Sequence, residues 1–155
     1  MKRRNFILLM LATLMLSSCE KVIFSANQPI KTAGWHKDSI ATFQWEITDT
    51  QIVDCDMLLF LRHTQSYPYQ NIWLFLDYYY PFSDTCVRDT IEFYLADDRG
   101  VWLGNGFGNI KEMPVLLQSN FTPALGTYKI SIQQAMRDTV LRGISDIGIC
   151  IKQHQ

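Results

Sequence analysis

The strongest regularity in this chain is an alternation of apolar and polar residues with a period of two. Ala41, Phe43, Trp45 and Ile47 show it first, and Ile91, Phe93 and Leu95 repeat it. Near the C-terminus it recurs in Tyr128, Ile130 and Ile132 and in Ile147, Ile149 and Ile151. Successive side chains of a strand point to opposite faces, so each run predicts a strand with one buried face. Met57 to Leu61 and Ile72 to Phe75 are apolar on both faces and are expected at the centre of sheets. Turn-forming clusters separate the runs: Tyr67-Pro68, Pro81 to Asp84, Asp97-Asp98-Arg99-Gly100, Gly104 to Asn109, and Pro123 to Gly126. Many short strands at fairly regular spacing predict an all-β fold, an antiparallel β-sandwich of jelly-roll-like architecture.

Two segments break the pattern. Gln133 to Leu141 gathers good helix formers, Gln133-Gln134-Ala135-Met136-Arg137, and predicts one short helical segment. Ser25 to Asp38, with Pro29 and Gly34 and little alternation, reads as an irregular arm, so residues 19–38 are assigned to an N-terminal arm and 39–155 to a single sandwich domain. No internal repeat is evident.

The N-terminus changes the picture most. Lys2, Arg3 and Arg4 precede an apolar run from Phe6 to Leu16, then Ser17 and Ser18 lead into Cys19. That order is the layout of a secretory signal over residues 1–18, and the apolar run falls short of the ~20 residues a transmembrane helix needs. Leu16-Ser17-Ser18-Cys19 resembles the lipobox of bacterial lipoproteins, which assigns Cys19 as the lipid-attachment residue. The partner so implied is a membrane, reached through a lipid anchor. Removing the signal takes three of the 14 basic residues and none of the 15 acidic ones, leaving a net charge of −4. A mildly acidic chain without a basic stripe is not built to neutralise phosphates, so nucleic acid is not expected as a partner.

Candidate chemistry is sparse. His36, His63 and His154 are scattered and no CxxC occurs, so neither a metal nor any other cofactor is expected, and a small-molecule ligand is not either. Gly104-Asn105-Gly106-Phe107-Gly108 lacks the Lys-Ser/Thr of a phosphate loop, and no GxSxG is present. Asp97-Asp98 and Asp84 with Asp89 could form an acid pair, but Asp97 to Gly100 reads more simply as a tight turn between Leu95 and Val101. The chain is therefore assigned no catalytic residues and no enzymatic activity.

After Cys19, the export compartment permits disulfides among Cys55, Cys86 and Cys150. A hairpin of Asp56–His63 with Gln70–Tyr78 would bring Cys55 to the loop carrying Cys86, making Cys55 and Cys86 the candidate bridge and Cys150 a free core thiol. Among the aromatics, Tyr78, Tyr79 and Tyr80 cannot all point inward, which makes Tyr79 a candidate for partner docking. Phe107, between glycines that leave the backbone mobile, is the second candidate, while Trp102 is expected to fold back on the core.

The order of the segments resembles one family, the gliding-motility lipoproteins called GldH of Bacteroidetes-type bacteria. The resemblance rests on Trp35 with Lys37-Asp38-Ser39, Trp45-Glu46-Ile47, Tyr67-Pro68-Tyr69 with Asn71, and Trp73-Leu74-Phe75. It continues through Leu95-Ala96-Asp97, Gly100, Trp102-Leu103-Gly104 and Gly106. Gly126-Thr127-Tyr128, Gln134-Ala135-Met136-Arg137, Gly143-Ile144 and Asp146-Ile147-Gly148 complete it. It implies a non-enzymatic envelope lipoprotein of the gliding and type IX secretion machinery, with other envelope proteins as partners. In such bacteria surface-exposed lipoproteins carry several acids after the cysteine; here Glu20 alone precedes Lys21 and Val22, which implies an outer-membrane protein facing the periplasm. A carbohydrate-binding jelly-roll module, suggested by the sandwich and by Tyr78 to Tyr80, is the alternative.

Overall fold

The computed structural model describes residues 20–154, so the signal segment 1–18 and Cys19 lie outside the described residues. Ten strands follow one another: β1 Lys21–Pro29, β2 Trp35–His36, β3 Ile40–Ile47, β4 Cys55–Thr64, β5 Asn71–Tyr79, β6 Val87–Tyr94, β7 Ile110–Phe121, β8 Gly126–Gln134, β9 Val140–Leu141 and β10 Ile144–Gln153. The period-two runs explain the elements directly. In β3, Ala41, Phe43, Trp45 and Ile47 are buried while Thr42, Gln44 and Glu46 face solvent.

Two four-stranded antiparallel sheets, ordered β1-β10-β4-β7 and β3-β8-β5-β6, pack as a sandwich, with β2 and β9 forming a small ribbon. Leaving that ribbon aside, eight long strands remain and they pair from the outside inward. The first pairs with the last (β1 with β10), the second with the seventh (β3 with β8), the third with the sixth (β4 with β7), and the fourth with the fifth (β5 with β6). This nesting is the jelly roll, in effect one long hairpin wrapped on itself. The doubly apolar segments Met57–Leu61 and Ile72–Phe75 occupy β4 and β5, each an interior strand of its sheet. Leu59, Leu61, Leu74, Leu76, Ile130, Ile132, Ile147 and Ile151 of the two inner faces are fully buried in a single core.

Three expectations are corrected. Gln133 to Leu141 is not a helix: Gln133 and Gln134 end β8, and the Gln134 side chain organises the turn that follows. Its Oε1 accepts from Met136 N (2.8 Å) and its Nε2 donates to Asp138 O (2.8 Å), so a buried amide replaces the local backbone bonds a helix would use. The region after Cys19 is not an irregular arm, because Lys21–Pro29 is the edge strand β1, with Ile23, Phe24 and Ala26 packed on the core. Its side chains alternate only weakly in polarity because edge strands bury little. Finally, β4 and β5 do not form a hairpin. They belong to opposite sheets, which removes the reason for joining Cys55 to Cys86: the structure holds Cys55 buried and Cys86 exposed, both as free thiols, and Cys150 is a buried free thiol as expected.

The nesting also assigns the connections to two ends. The near end carries the start of β1, the C-terminus, and the connections 48–54, 80–86 and 122–125; the far end carries 30–39, 65–70, 95–109 and 135–143. Because Phe24 stacks on Trp45 (centroids 5.3 Å apart) and β1 belongs to the domain, Phe24→Ala should destabilise the protein. The expected loss is about 2 kcal/mol in denaturant unfolding, below the 3–5 kcal/mol of a fully buried ring because Phe24 is half-buried. An unchanged midpoint would mean that β1 is only a tether.

Candidate functional site

The far end is built around the long β6–β7 connection. Asp97 fastens its first turn: Oδ1 accepts from Arg99 N (3.0 Å) and Val101 N (2.8 Å), and Oδ2 accepts from the Arg99 guanidinium (2.9 Å). The Val101 amide, followed by Arg99, holds the Asp97 carboxyl below the usual carboxylate range. Asp97 is thus a turn residue, as the simpler reading expects. The chain then returns alongside itself, with Leu103 N donating to Leu95 O (2.8 Å), which lays Trp102 over His63 at 4.6 Å between centroids.

Beyond Trp102 the glycine segment is fastened to β7 rather than mobile. Asn105 and Glu112 exchange backbone hydrogen bonds of 3.0 and 2.7 Å. A Cβ at position 104 would stand 2.7 Å from the Glu112 carbonyl oxygen, and one at 106 would collide with that of Ile110. Glycine is needed there for close approach of two backbones. Gln65 completes the attachment, its Nε2 donating to Gly108 O (2.9 Å) and its backbone N to Asn109 O (3.0 Å). At the tip of this held loop Phe107 has a relative exposure of 101%. Val101 and Leu103 of the same connection and Ile110 at the start of β7 are also exposed, so with Phe107 four large apolar side chains meet solvent there.

Beneath the loop lies an aromatic floor. His63 is fully buried, with rings of Tyr67 (5.8 Å) and Trp102 on it, and its Nδ1 donates to Thr64 O (3.0 Å). Burial, with a lesser contribution from Lys111, pushes the imidazole pKa below its ordinary value despite the Thr64 bond, so the ring is neutral at pH 7. Tyr67 OH donates to Asn71 O (2.9 Å) and Tyr69 OH to Asp138 Oδ2 (2.9 Å). On the outer face of the first sheet, Arg62 Nε sits 2.9 Å from Glu112 and 3.2 Å from Asp146, linking β4, β7 and β10 just below the loop.

Tyr79 is elsewhere. It lies near the opposite end, half-buried, with Lys129 Nζ 3.7 Å from its ring centroid. Tyr78 and Tyr80 stack on each other (6.4 Å), and Tyr80 rather than Tyr79 is the ring most open to solvent. The structure therefore does not bring Phe107 and Tyr79 into one site. Other aromatics are exposed as well: Trp73 and Phe75 on the outer face of β5, and Phe82 in the β5–β6 turn. Phe82 had a signal, since an apolar ring between Pro81 and Ser83-Asp84 has no strand in which to hide. Among the described residues no three His, Cys, Asp or Glu side chains converge as metal ligands.

A family model described as GldH lipoprotein matches residues 22–151. Over 161 aligned residues, covering 99% of each chain, the protein is 34% identical to the gliding motility lipoprotein GldH of Flavobacterium johnsoniae. It is 33% identical to the gliding motility lipoprotein GldH homolog of Christiangramia forsetii over 149 residues, 90% of each chain. Among solved structures it is similar to dimeric latent PorU from Porphyromonas gingivalis, at TM-score 0.43 and 7% identity over 88% of this chain and 13% of that one. It is also similar to CBM28, a carbohydrate-binding module specific for non-crystalline cellulose, at TM-score 0.42 and 10% identity over 84% of this chain and 73% of that one. Likenesses this loose carry no weight for function.

The two rings of the far-end loop should separate in their effects on stability. Phe107→Ala is expected to leave the thermal midpoint unchanged, since the ring buries nothing. Trp102→Ala should cost about 2 kcal/mol, less than a fully buried ring because one side is open. Equal losses for both would place Phe107 in the core.

Proposed function

The chain belongs to the GldH lipoprotein family, and from that premise we propose that it is a membrane-anchored lipoprotein of the gliding-motility machinery, lipidated at Cys19 and docking an envelope partner through the loop around Phe107. The observation that carries the docking assignment is the fully exposed Phe107 on a loop held by Asn105–Glu112 and Gln65. A ring kept outward by a rigid support loses little conformational freedom on binding, and a buried aromatic anchor is the common centre of a protein interface. Val101, Leu103 and Ile110 would supply the apolar surround.

A non-enzymatic role is favoured by how the polar groups of this end are occupied. Asp97 is committed to backbone amides, Asp138 to Tyr69, Glu112 and Asp146 to Arg62, and His63 is sealed beneath Trp102. The cellular setting in this reading is the outer membrane with the domain in the periplasm, where it serves gliding and type IX secretion. The single acid after Cys19 supports that orientation, and Glu20 is further engaged by Lys152 Nζ at 2.9 Å.

The rival reading, a carbohydrate-binding module, draws on Trp73, exposed beside a shallow groove lined by Tyr69, Asn71, Met136 and Arg137. Ring, amide and guanidinium together could stack on and hydrogen-bond a sugar. Reproducible glycan binding that Trp73→Ala abolishes would favour it.

Cys19→Ser should abolish incorporation of labelled fatty acid, and in a gliding host lacking its own copy it should fail to restore colony spreading. Phe107→Ala should be lipidated and stable yet restore spreading only weakly. Full rescue by Phe107→Ala would remove the docking assignment, and equal fatty-acid labelling of Cys19→Ser would remove the anchor.

A further inference from the structure

The geometry points to a second contact with the membrane: the near end of the sandwich rests in the headgroup layer, with Phe82 as an inserted ring beside the lipid anchor. The inference rests on the reading of Cys19 as the lipid-bearing residue. β1 begins at Lys21, two residues after Cys19, so its first residue lies no more than roughly 7 Å of extended chain from the anchored cysteine. No spacer separates the domain from the bilayer. Whatever occupies the near end must therefore meet lipid headgroups.

Exposed apolar side chains stand there among the polar ones. Phe82 has a relative exposure of 94%, and its φ of +61° is a left-handed conformation that a bulky side chain rarely adopts. Pro81 and Phe82 lie over Gly126, close to the 122–125 turn that exposes Leu125. Val22 at the start of β1, Val53 in the 48–54 connection and Tyr80 are exposed at the same end. The connection 48–54 is held to the C-terminus by Gln153 Nε2 donating to Gln51 O (3.0 Å) and His154 N to Asp54 O (3.0 Å).

The support is rigid. A run of ring contacts crosses the near end from β1 to β5, from Phe24 to Trp45 (5.3 Å), Tyr128 (5.6 Å) and Tyr80 (6.1 Å). Tyr128 OH donates to Ala124 O (3.2 Å), which fixes the turn carrying Leu125. An apolar ring such as Phe82 suits the headgroup–acyl boundary, and the amphipathic ring of Tyr80 the interface above it. The carboxylates of Asp49, Asp54 and Asp84 share this end, so attraction to anionic lipid is not the driving force and penetration is shallow, with the Phe82 ring at the headgroup boundary. Two contacts, one covalent and one through side chains, hold the sandwich upright and set the far-end loop one strand length from the membrane.

The test uses the full lipidated protein reconstituted into phosphatidylethanolamine and phosphatidylglycerol vesicles, with and without brominated acyl chains. Phe82→Trp and, at the far end, Phe107→Trp report local surroundings after subtraction of the native tryptophan emission, and Leu125→Trp is a second near-end reporter. A ring held about 5–10 Å into the boundary should lose about half of its added emission to brominated lipid and shift to the blue. Phe107→Trp should be insensitive to brominated lipid and open to aqueous iodide. If mass spectrometry shows the acyl groups in place and neither near-end reporter responds to brominated lipid, the anchor stands and the second contact is overturned. Shielding from iodide without quenching by lipid marks a protein contact and also overturns it. A protein whose Cys19 carries no acyl group removes the anchor, and with it this inference.

Discussion

The pairing of β1 with β10 is the constraint on which the rest depends. It joins the two ends of the domain, Lys21 opposite Gln153, and closes a nest in which every other long strand finds its partner by symmetry. It also covers one side of β10, the strand whose Ile147, Ile149 and Ile151 fill the centre of the core. Once the first strand is fixed beside the last, the chain entrance and exit share one end. The β6–β7 connection, the longest stretch without strand structure among the described residues, is then forced to the other. The division of the connections between two ends is a consequence of topology before any particular side chain is considered.

Within that frame the two ends solve different problems. At the far end a long connection must cross the mouth of the sandwich, and it does so by fastening its backbone to β7 and to Gln65 while Trp102 caps His63. Phe107 is left with no place in the core because Trp102 has taken it. At the near end short turns suffice, and the stacked rings of Phe24, Trp45 and Tyr128, with Tyr80 edge-on to Tyr128, close the core beneath them. Phe82 projects beyond that closure. Phe107 and Phe82 thus each stand outside a group of packed aromatics that makes the support stiff.

Much of this was legible in the residues and some was not, for identifiable reasons. Period-two alternation is a local signal, so β3, β8 and β10 could be read directly, and the doubly apolar β4 and β5 were recognisable as interior strands. Pairing is non-local. Neighbouring strands pair in roughly two-thirds of cases, and the presumed β4–β5 hairpin followed that tendency into error because a jelly roll sends those strands to opposite sheets. The pairing of Cys55 with Cys86 fell with it. At Gln134 helix propensity lost to one buried side chain whose amide bonds the following turn. The glycines of 104–108 suggest mobility when read alone, whereas Gly104 and Gly106 admit the β7 backbone, which only the folded neighbour reveals. Phe107 itself was accessible to reasoning because a loop offers an aromatic ring few places to hide. Tyr79 was not, since Lys129 covers it from an adjacent strand.

The proposed division gives one end of this sandwich to lipid and the other to protein. In-cell photocrosslinking tests it most directly, with a photoreactive amino acid placed at position 107 in one strain and at position 125 in another, each producing the lipidated protein. A discrete envelope-protein adduct from position 107 and only lipid adducts from position 125 are expected. Protein adducts from position 125 with none from position 107 would contradict it.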